Sequence, residues 1–182
     1  MARPVDGPVL VVPLRERPEC VPFFARQFVL EWPAWYGPGG QGSAMADLNA
    51  FANAAGDLPT GVVARTREGA YLGVAALKAA SIPEYAHLGP WAAAGYVIPD
   101  HRGQGVGAAL LDGLLDEACR LGIGTVYCAT SSAGSLLRRQ GWQLLDSATH
   151  DNKPISVFSI KVPTRGRRDA DWAGRQATGE QQ

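Results

Sequence analysis

Cysteine is scarce in this chain. Its three copies, Cys20, Cys119 and Cys128, are odd in number, and no two stand at metal-ligand spacing. That pattern points to neither a disulfide framework nor a zinc site, and leaves each thiol as a small apolar residue for a core. A surplus of either charge is also lacking: Lys+Arg and Asp+Glu both number 17, for a formal net charge of zero. General binding to nucleic acid or an anionic membrane needs a basic surplus, so only a local basic patch remains open. Long apolar runs are missing too. The start, Met1-Ala2-Arg3-Pro4, leads into a short apolar stretch broken by Pro13, with no secretion signal. No span approaches the ~20 apolar residues a membrane helix requires. The expectation is a cytoplasmic protein without metal, nucleic-acid partner or membrane partner.

What is present is a globular share of apolar residues, 46% of 182. That length fits one domain with its own core. The domain is expected over residues 1–162. The polar stretch 163–182 has one Trp and no apolar periodicity, which predicts a disordered tail.

Residues 8–14 hold a short β-rich run. Val21, Phe24, Phe28 and Trp32 predict a helix over 21–32, stopped by Pro33, and five glycines or prolines between Tyr36 and Ser43 predict a loop. A second helix is expected over 44–55 with Ser43 as its cap. Residues 61–66 and 70–77 read as a hairpin, and 91–98 as a buried strand closed by Pro99. The strongest helix signal covers 105–121, where Val106, Leu110, Leu114 and Ala118 form one stripe. A strand at 124–129, a short helix at 133–140, and strands at 142–145 and 154–162 come next. The strand–loop–helix–strand unit implies a parallel pair, and the hairpins imply antiparallel ones. The fold class is therefore α/β (mixed α+β): a mixed, mostly antiparallel sheet with helices on both faces.

Between the strand at 91–98 and the strongest helix lies Arg102-Gly103-Gln104-Gly105-Val106-Gly107. A helix start leaves backbone N–H groups unpaired, and its dipole favours an anion there. Glycines remove the Cβ atoms that would hold a bulky anion off those amides. Three or four hydrogen bonds to a charged acceptor, about 1.5–3 kcal/mol each, anchor a diphosphate without metal. The alternative is a plain strand-to-helix turn, which does not need three alternating glycines behind an Arg. Nor is this a P-loop, since Val106-Gly107-Ala108 lacks the Lys-Ser/Thr. The glycine spacing and mid-chain position also differ from a dinucleotide fingerprint.

The pattern Arg/Gln-x-x-Gly-x-Gly/Ala, with Tyr96-Val97-Ile98-Pro99-Asp100 before it and Leu110-Leu111 after it, resembles the GNAT superfamily of acetyl-CoA-dependent N-acetyltransferases. Residues 133–142 (AGSLLRRQGW) are similar to that family's later helix, and element order agrees from about 8 to 162. The resemblance implies acetyl-CoA as co-substrate and a strand splayed from its parallel neighbour. It also implies backbone of Gly95, Tyr96 and Val97 along the pantetheine arm, and amides of Gly103, Gln104, Gly105, Val106, Gly107 and Ala108 on the pyrophosphate. Arg102 would line the loop, and Thr130 would stand where many members have a pantetheine-binding Asn. The first two helices and their loop would form the acceptor pocket, here with Glu31, Trp32, Trp35 and Tyr36, and Trp91 facing the same cavity. Trp32 and Trp35 equally read as closing the core under that loop.

Direct attack on a thioester needs a neutral amine, yet an alkylammonium of pKa ~10.4 is only about 0.1% neutral at pH 7.4, a deficit of roughly 4 kcal/mol. A base and an acid are therefore expected. The family's acid Tyr corresponds to Leu137, which has no proton to give. Tyr127 and Tyr96 are substitutes by proximity, and both also read as packed strand tyrosines. No Glu lies on either flanking strand. His87, just before the first, could act through water, and equally reads as a loop histidine; His101 adjoins the phosphate loop and reads as facing solvent or a CoA phosphate; His150-Asp151, in a late loop, comes after both as a candidate. Two functions stay open. One is acetyl transfer to a primary amine of a small molecule or protein N-terminus; the other is a catalytically impaired CoA-binding sensor or partner subunit. A nucleotide-binding α/β protein is a third, unrelated reading. GNAT domains are often dimers, so a homodimer is a further expectation, although no segment reads as its interface.

Overall fold

The computed structural model describes residues 7–163. The Val106–Leu110–Leu114–Ala118 stripe does what its period demands: those four side chains are at most 2% exposed. They belong to the helix Val106–Arg120, whose stripe buries against one face of a sheet. The opposite face takes Phe24 and Phe28 from the helix Val21–Glu31 and Leu48 and Phe51 from the helix Ala44–Phe51. Removing such side chains from water stabilises by about 1.5–3 kcal/mol each.

Among the described residues the helices are α1 (Val21–Glu31), α2 (Pro33–Tyr36), α3 (Ala44–Phe51), α4 (Val106–Arg120) and α5 (Gly134–Arg139). The strands are β1 (Leu10–Pro13), β2 (Thr60–Arg65), β3 (Tyr71–Lys78), β4 (Trp91–Val97), β5 (Thr125–Thr130), β6 (Gln143–His150) and β7 (Lys153–Lys161). They form one sheet in the order β1-β2-β3-β4-β5-β7-β6. Only β4–β5 is parallel among these neighbours. The mixed, mostly antiparallel sheet with helices on both faces is the architecture expected from the sequence.

Three differences have physical causes. α3 stops at Phe51 rather than 55, because Asn53 Oδ1 accepts from the Ala55 amide (3.0 Å) and its Nδ2 donates to Asp57 (2.6 Å). Such local bonds offer the backbone an alternative to the helix. Pro33 ends α1 as expected but also starts the one-turn α2, the position in which a missing N–H costs nothing. β6 runs on to His150 rather than ending at 145; it is a mostly exposed edge strand, so no buried alternation marks its second half. Of the expected tail, residues 164–182 lie outside the described residues.

The sheet is not continuous where it matters. β4 and β5 share a single register pair, Trp91↔Tyr127, beside a Tyr127 amide bond to the Pro90 carbonyl at 3.0 Å. Beyond that point the two strands part.

Candidate active site

The parting exposes backbone. Ile98 donates its N–H to Leu72 O at 2.9 Å, and this sets the phase of β4 against β3. By the alternation of an antiparallel ladder, Tyr96 spends its backbone groups on β3, while those of Val97 face the gap. The sequence groups Gly95, Tyr96 and Val97 as one binding backbone; the ladder separates Tyr96 from it. A bulge sits within this stretch: Val74 pairs with Tyr96 and Ala76 with Ala93, so Ala94 and Gly95 together oppose Ala75. Ala94 takes φ 52°, a left-handed conformation that a residue with a Cβ rarely adopts. The extra residue reverses the facing of the strand end beyond it. Tyr96 turns into the α1–α3 cluster and Val97 toward α4. Nothing in the alanine-rich sequence signals this bulge.

The gap is a cavity of about 510 Å³ that reaches both faces of the sheet. On the α4–α5 side its wall includes Gly107, Leu111, Ala133 and Leu136. On the other side it includes Trp32, Ser81, Ile82, His150 and Ile155. Strand residues 92–97 and 128–130 line the passage between.

At the first mouth, Ala109 N–H bonds to Gly105 O at 3.0 Å. The amides of Val106, Gly107 and Ala108 are then the ones a helix leaves without internal acceptors. Gly103 and Gly105 have φ of 75° and 83°, and a Cβ on either would meet no atom within 4 Å. The loop thus presents bare backbone to open space, a cradle that side chains would fill. It is braced from behind, where Gln104 Nε2 donates to Asp100 O (2.9 Å) and Arg102 Nε to Val97 O (2.9 Å). Arg102 also pairs with Glu31 at 2.9 Å and lies 5.8 Å from the Tyr96 ring centre. Its side chain is therefore committed to the strand end and α1. Thr130 is committed as well: Oγ1 accepts from the Ser132 and Ala133 amides at 3.1 and 2.9 Å, shaping the turn into α5 and keeping only its hydroxyl proton to donate.

The expected acceptor residues are not brought together. Trp32 lines the cavity. Trp35 folds onto its own loop, so close to Gly42 that a Cβ there would stand 2.2 Å from the indole nitrogen. Tyr36 Oη donates to Asp47 at 2.7 Å, and burial first, then that carboxylate, pushes its phenol upward. Glu31 is the partner of Arg102. Trp91 is fully buried with its Nε1 on Leu88 O at 2.9 Å, outside the cavity wall.

The acid and base candidates also separate. Tyr127 packs on Trp91, ring centres 5.6 Å apart, away from the cavity wall. His87 is exposed against Tyr85. Tyr96 reaches the cavity, but its Oη donates to Gln27 Oε1 at 3.0 Å, and burial pushes its phenol up. Leu137 is fully buried on the cavity wall beside Cys128, whose thiol is pushed up to about 12 by burial. His150, remote in the sequence, is in that wall. Ser81, Ile82, Ser131 and Ser132 also line it with no sequence signal to mark them. Among the described residues, no group of three or more His, Cys, Asp or Glu is placed to hold a metal ion. No helix there is long and apolar enough to cross a membrane.

A mixed sheet parted at its parallel pair, with a loop of bare backbone at one mouth of the opening, is the arrangement that the resemblance seen in the sequence implies. The sequence matches the model of the Acetyltransferase (GNAT) family over residues 26–142, and the chain belongs to that family. Solved structures agree on the fold. An aminoglycoside 6'-N-acetyltransferase complexed with coenzyme A is 16% identical at TM-score 0.66, covering 86% of this chain and 98% of its own. The protein yncA from Salmonella typhimurium, solved with its cofactor acetyl-CoA, is 17% identical at TM-score 0.61, with 86% and 95% covered. Spermidine/spermine N-acetyltransferase SpeG from Vibrio cholerae is 13% identical at TM-score 0.61, with 84% and 92% covered. Among curated proteins, none matches the sequence.

Proposed function

We propose that this protein transfers an acetyl group from acetyl-CoA to a primary amine of a small molecule by direct attack. The observation that carries the reading is the cavity open on both faces of the sheet, with the bare-backbone cradle at one mouth. Two reactants entering from opposite faces meet in the middle without a covalent enzyme intermediate. The neighbours named for aminoglycosides and for spermidine/spermine support a small amine as acceptor, and those solved with CoA or acetyl-CoA support the donor.

In this reading the amides of Val106, Gly107 and Ala108 hold the pyrophosphate, with their aligned dipole opposing its charge. The N–H of Val97 faces the pantetheine arm, and Leu110, Leu111 and Leu136 exclude water from it. Bound acetyl-CoA supplies a thioester carbonyl for the amine to attack. The gap-facing amides near the Ala94–Gly95 bulge are the protein's donors to the oxygen that gains charge. Trp32 walls the acceptor side. With Leu137 in the acid position, water is the proton source for the departing sulfur.

The test is an added charge. Ala108→Asp places a carboxylate at the third residue of α4, favourable to the helix dipole but repulsive to a diphosphate. CoA affinity measured by calorimetry should fall about a hundredfold, near 3 kcal/mol, with melting temperature unchanged. Unchanged affinity would remove the cradle, and the reading with it. Leu137 favours a second reading, a CoA-binding sensor without turnover. Tight CoA binding with no CoA released for any of kanamycin, spermidine, benzylamine or a short peptide would select it.

A further inference from the structure

Resting on that transferase reading, we propose that His150, held by Glu84, is the base that takes the acceptor amine's proton. His150 lies in the cavity wall at the acceptor mouth, beside Ser81, Ile82 and Ile155. Its Nδ1 stands 3.3 Å from both carboxylate oxygens of Glu84, which comes from the 3-10 turn Pro83–Tyr85 ahead of β4. A ring whose Nδ1–H donates to a carboxylate keeps its Nε2 lone pair for a proton. The carboxylate also stabilises the imidazolium that forms.

Glu84 is held below the usual carboxylate range, first by its own backbone amide and then by the bond to His150. It is therefore ionised and ready in that role. The other charged groups around the ring are Asp151, 3.6 Å from Nε2, and Lys153, its register partner across the hairpin. Asp146 lies farther along β6, held by Tyr85 Oη at 2.7 Å. The carboxylates nearest the ring are thus those of Glu84 and Asp151, with the Lys153 ammonium on the neighbouring strand.

Protons and electrons balance over one turnover. The ammonium gives one proton to Nε2, becoming the neutral amine. Its nitrogen forms the new C–N bond as the C–S bond breaks and the electron pair leaves on sulfur. The amide nitrogen loses its second proton, the sulfur ends protonated through water, and His150 returns the first proton to solvent. One proton is released per turnover, with free CoA and the amide as products.

A structural clasp is the competing explanation, because Glu84 and Tyr85 both tie the loop before β4 to β6. The experiment uses the full chain and whichever amine of the kanamycin, spermidine, benzylamine and peptide set gives fastest CoA release. His150→Gln should lower kcat about 10²–10³-fold, leave the KM for acetyl-CoA unchanged and abolish the acid limb of the pH–rate profile. Glu84→Gln should lose about tenfold. Imidazole should restore part of the rate to His150→Ala, which a clasp would not allow. Tyr85→Phe, which cuts only the other tie, should stay within about twofold. His150→Gln within threefold of wild type at every pH overturns the proposal, as does Tyr85→Phe falling in step with it. Wild-type protein that binds CoA but releases none with every amine overturns the transferase reading itself, a separate result.

Discussion

The two mouths of the cavity are built from different materials. The α4 mouth is backbone: consecutive amides, glycines with left-handed φ, and a helix dipole, all within about one turn of chain. The opposite mouth is side chains gathered from Trp32 just after α1, the loop before β4 and the β6–β7 hairpin, where His150 meets Glu84 from 66 residues away. In the proposed reading, backbone recognition suits a diphosphate that never varies. Side-chain recognition leaves the acceptor free to differ among proteins that share the fold, which is why a fold match says little about the amine.

The hardest blow to that contrast is Gly105→Val. The glycine has φ 83° and open space where a Cβ would stand, so valine projects over the amides while straining the backbone. Losing two charge-assisted hydrogen bonds at ~2 kcal/mol each predicts about a thousandfold weaker CoA binding by calorimetry. Strain alone should cost about 1–2 kcal/mol of stability. Gly122→Val is the control: φ is 73° with nothing nearby, but it lies beyond the far end of α4. It should share the strain and keep the affinity. Equal losses of affinity would show that the helix, not its bare amides, matters.

A second variant tests whether the cradle depends on the rest of α4. Glu117, 5% exposed, accepts from Arg15 Nη1 at 2.6 Å and from Arg120 Nη2 at 2.9 Å. Arg120 also donates to Gly56 O. Glu117→Ala strands two partly buried cations and should cost about 3 kcal/mol, or ~6–12 °C in melting temperature, with CoA affinity within twofold. Burial alone would raise this carboxyl, but the Arg15 and Arg120 bonds outweigh it and its pKa is lowered. The folded form therefore binds its proton less readily than the unfolded chain. The stabilisation is whole above the ordinary glutamate value of ~4.3 and is lost as pH falls through the folded one. The gap between wild type and variant should be constant near neutrality and narrow in acid.

The same contrast explains what is legible in the sequence. α4 is readable because Val106, Leu110, Leu114 and Ala118 repeat at helical spacing, and the cradle because glycine is the letter for bare backbone. The β4 bulge is hidden, since Ala92-Ala93-Ala94 carries no mark of which alanine takes φ 52°. The acceptor residues mislead because the aromatics of α1 and α2 dominate that stretch, yet Trp35 and Tyr36 are spent locally on Gly42 and Asp47. His150 is visible in the sequence only as a late-loop histidine, because nothing local shows that an edge strand runs back to the gap. Long-range pairing decides that, through β5–β7 and β7–β6.

Arg102, which braces the α4 mouth from behind, divides the contrast more finely. Its bonds go to Val97 O and Glu31, and half of its side chain is exposed. Backbone recognition predicts that Arg102→Ala weakens CoA binding no more than about fivefold, near 1 kcal/mol, through a looser loop. A guanidinium on the diphosphate would instead make the loss about a hundredfold. Calorimetry at two salt concentrations separates them, since only the direct pair gives a steep salt dependence.

The smallest effect is expected at Thr130, at the end of β5 where the strand meets the α5 turn. Its Oγ1 accepts from the Ser132 and Ala133 amides, so Thr130→Val keeps the shape and leaves those donors to water. Losing these two hydrogen bonds within the turn costs about 1 kcal/mol of stability. The wall formed by Ser131, Ser132 and Ala133 loosens with it, and CoA affinity should slip only about two- to threefold. If the hydroxyl instead serves the pantetheine arm directly, the pattern reverses. Affinity then falls about tenfold, the ~1.4 kcal/mol of one good hydrogen bond, while the melting temperature barely moves. Measuring both quantities on one variant therefore decides whether this side chain belongs to the fold or to the ligand.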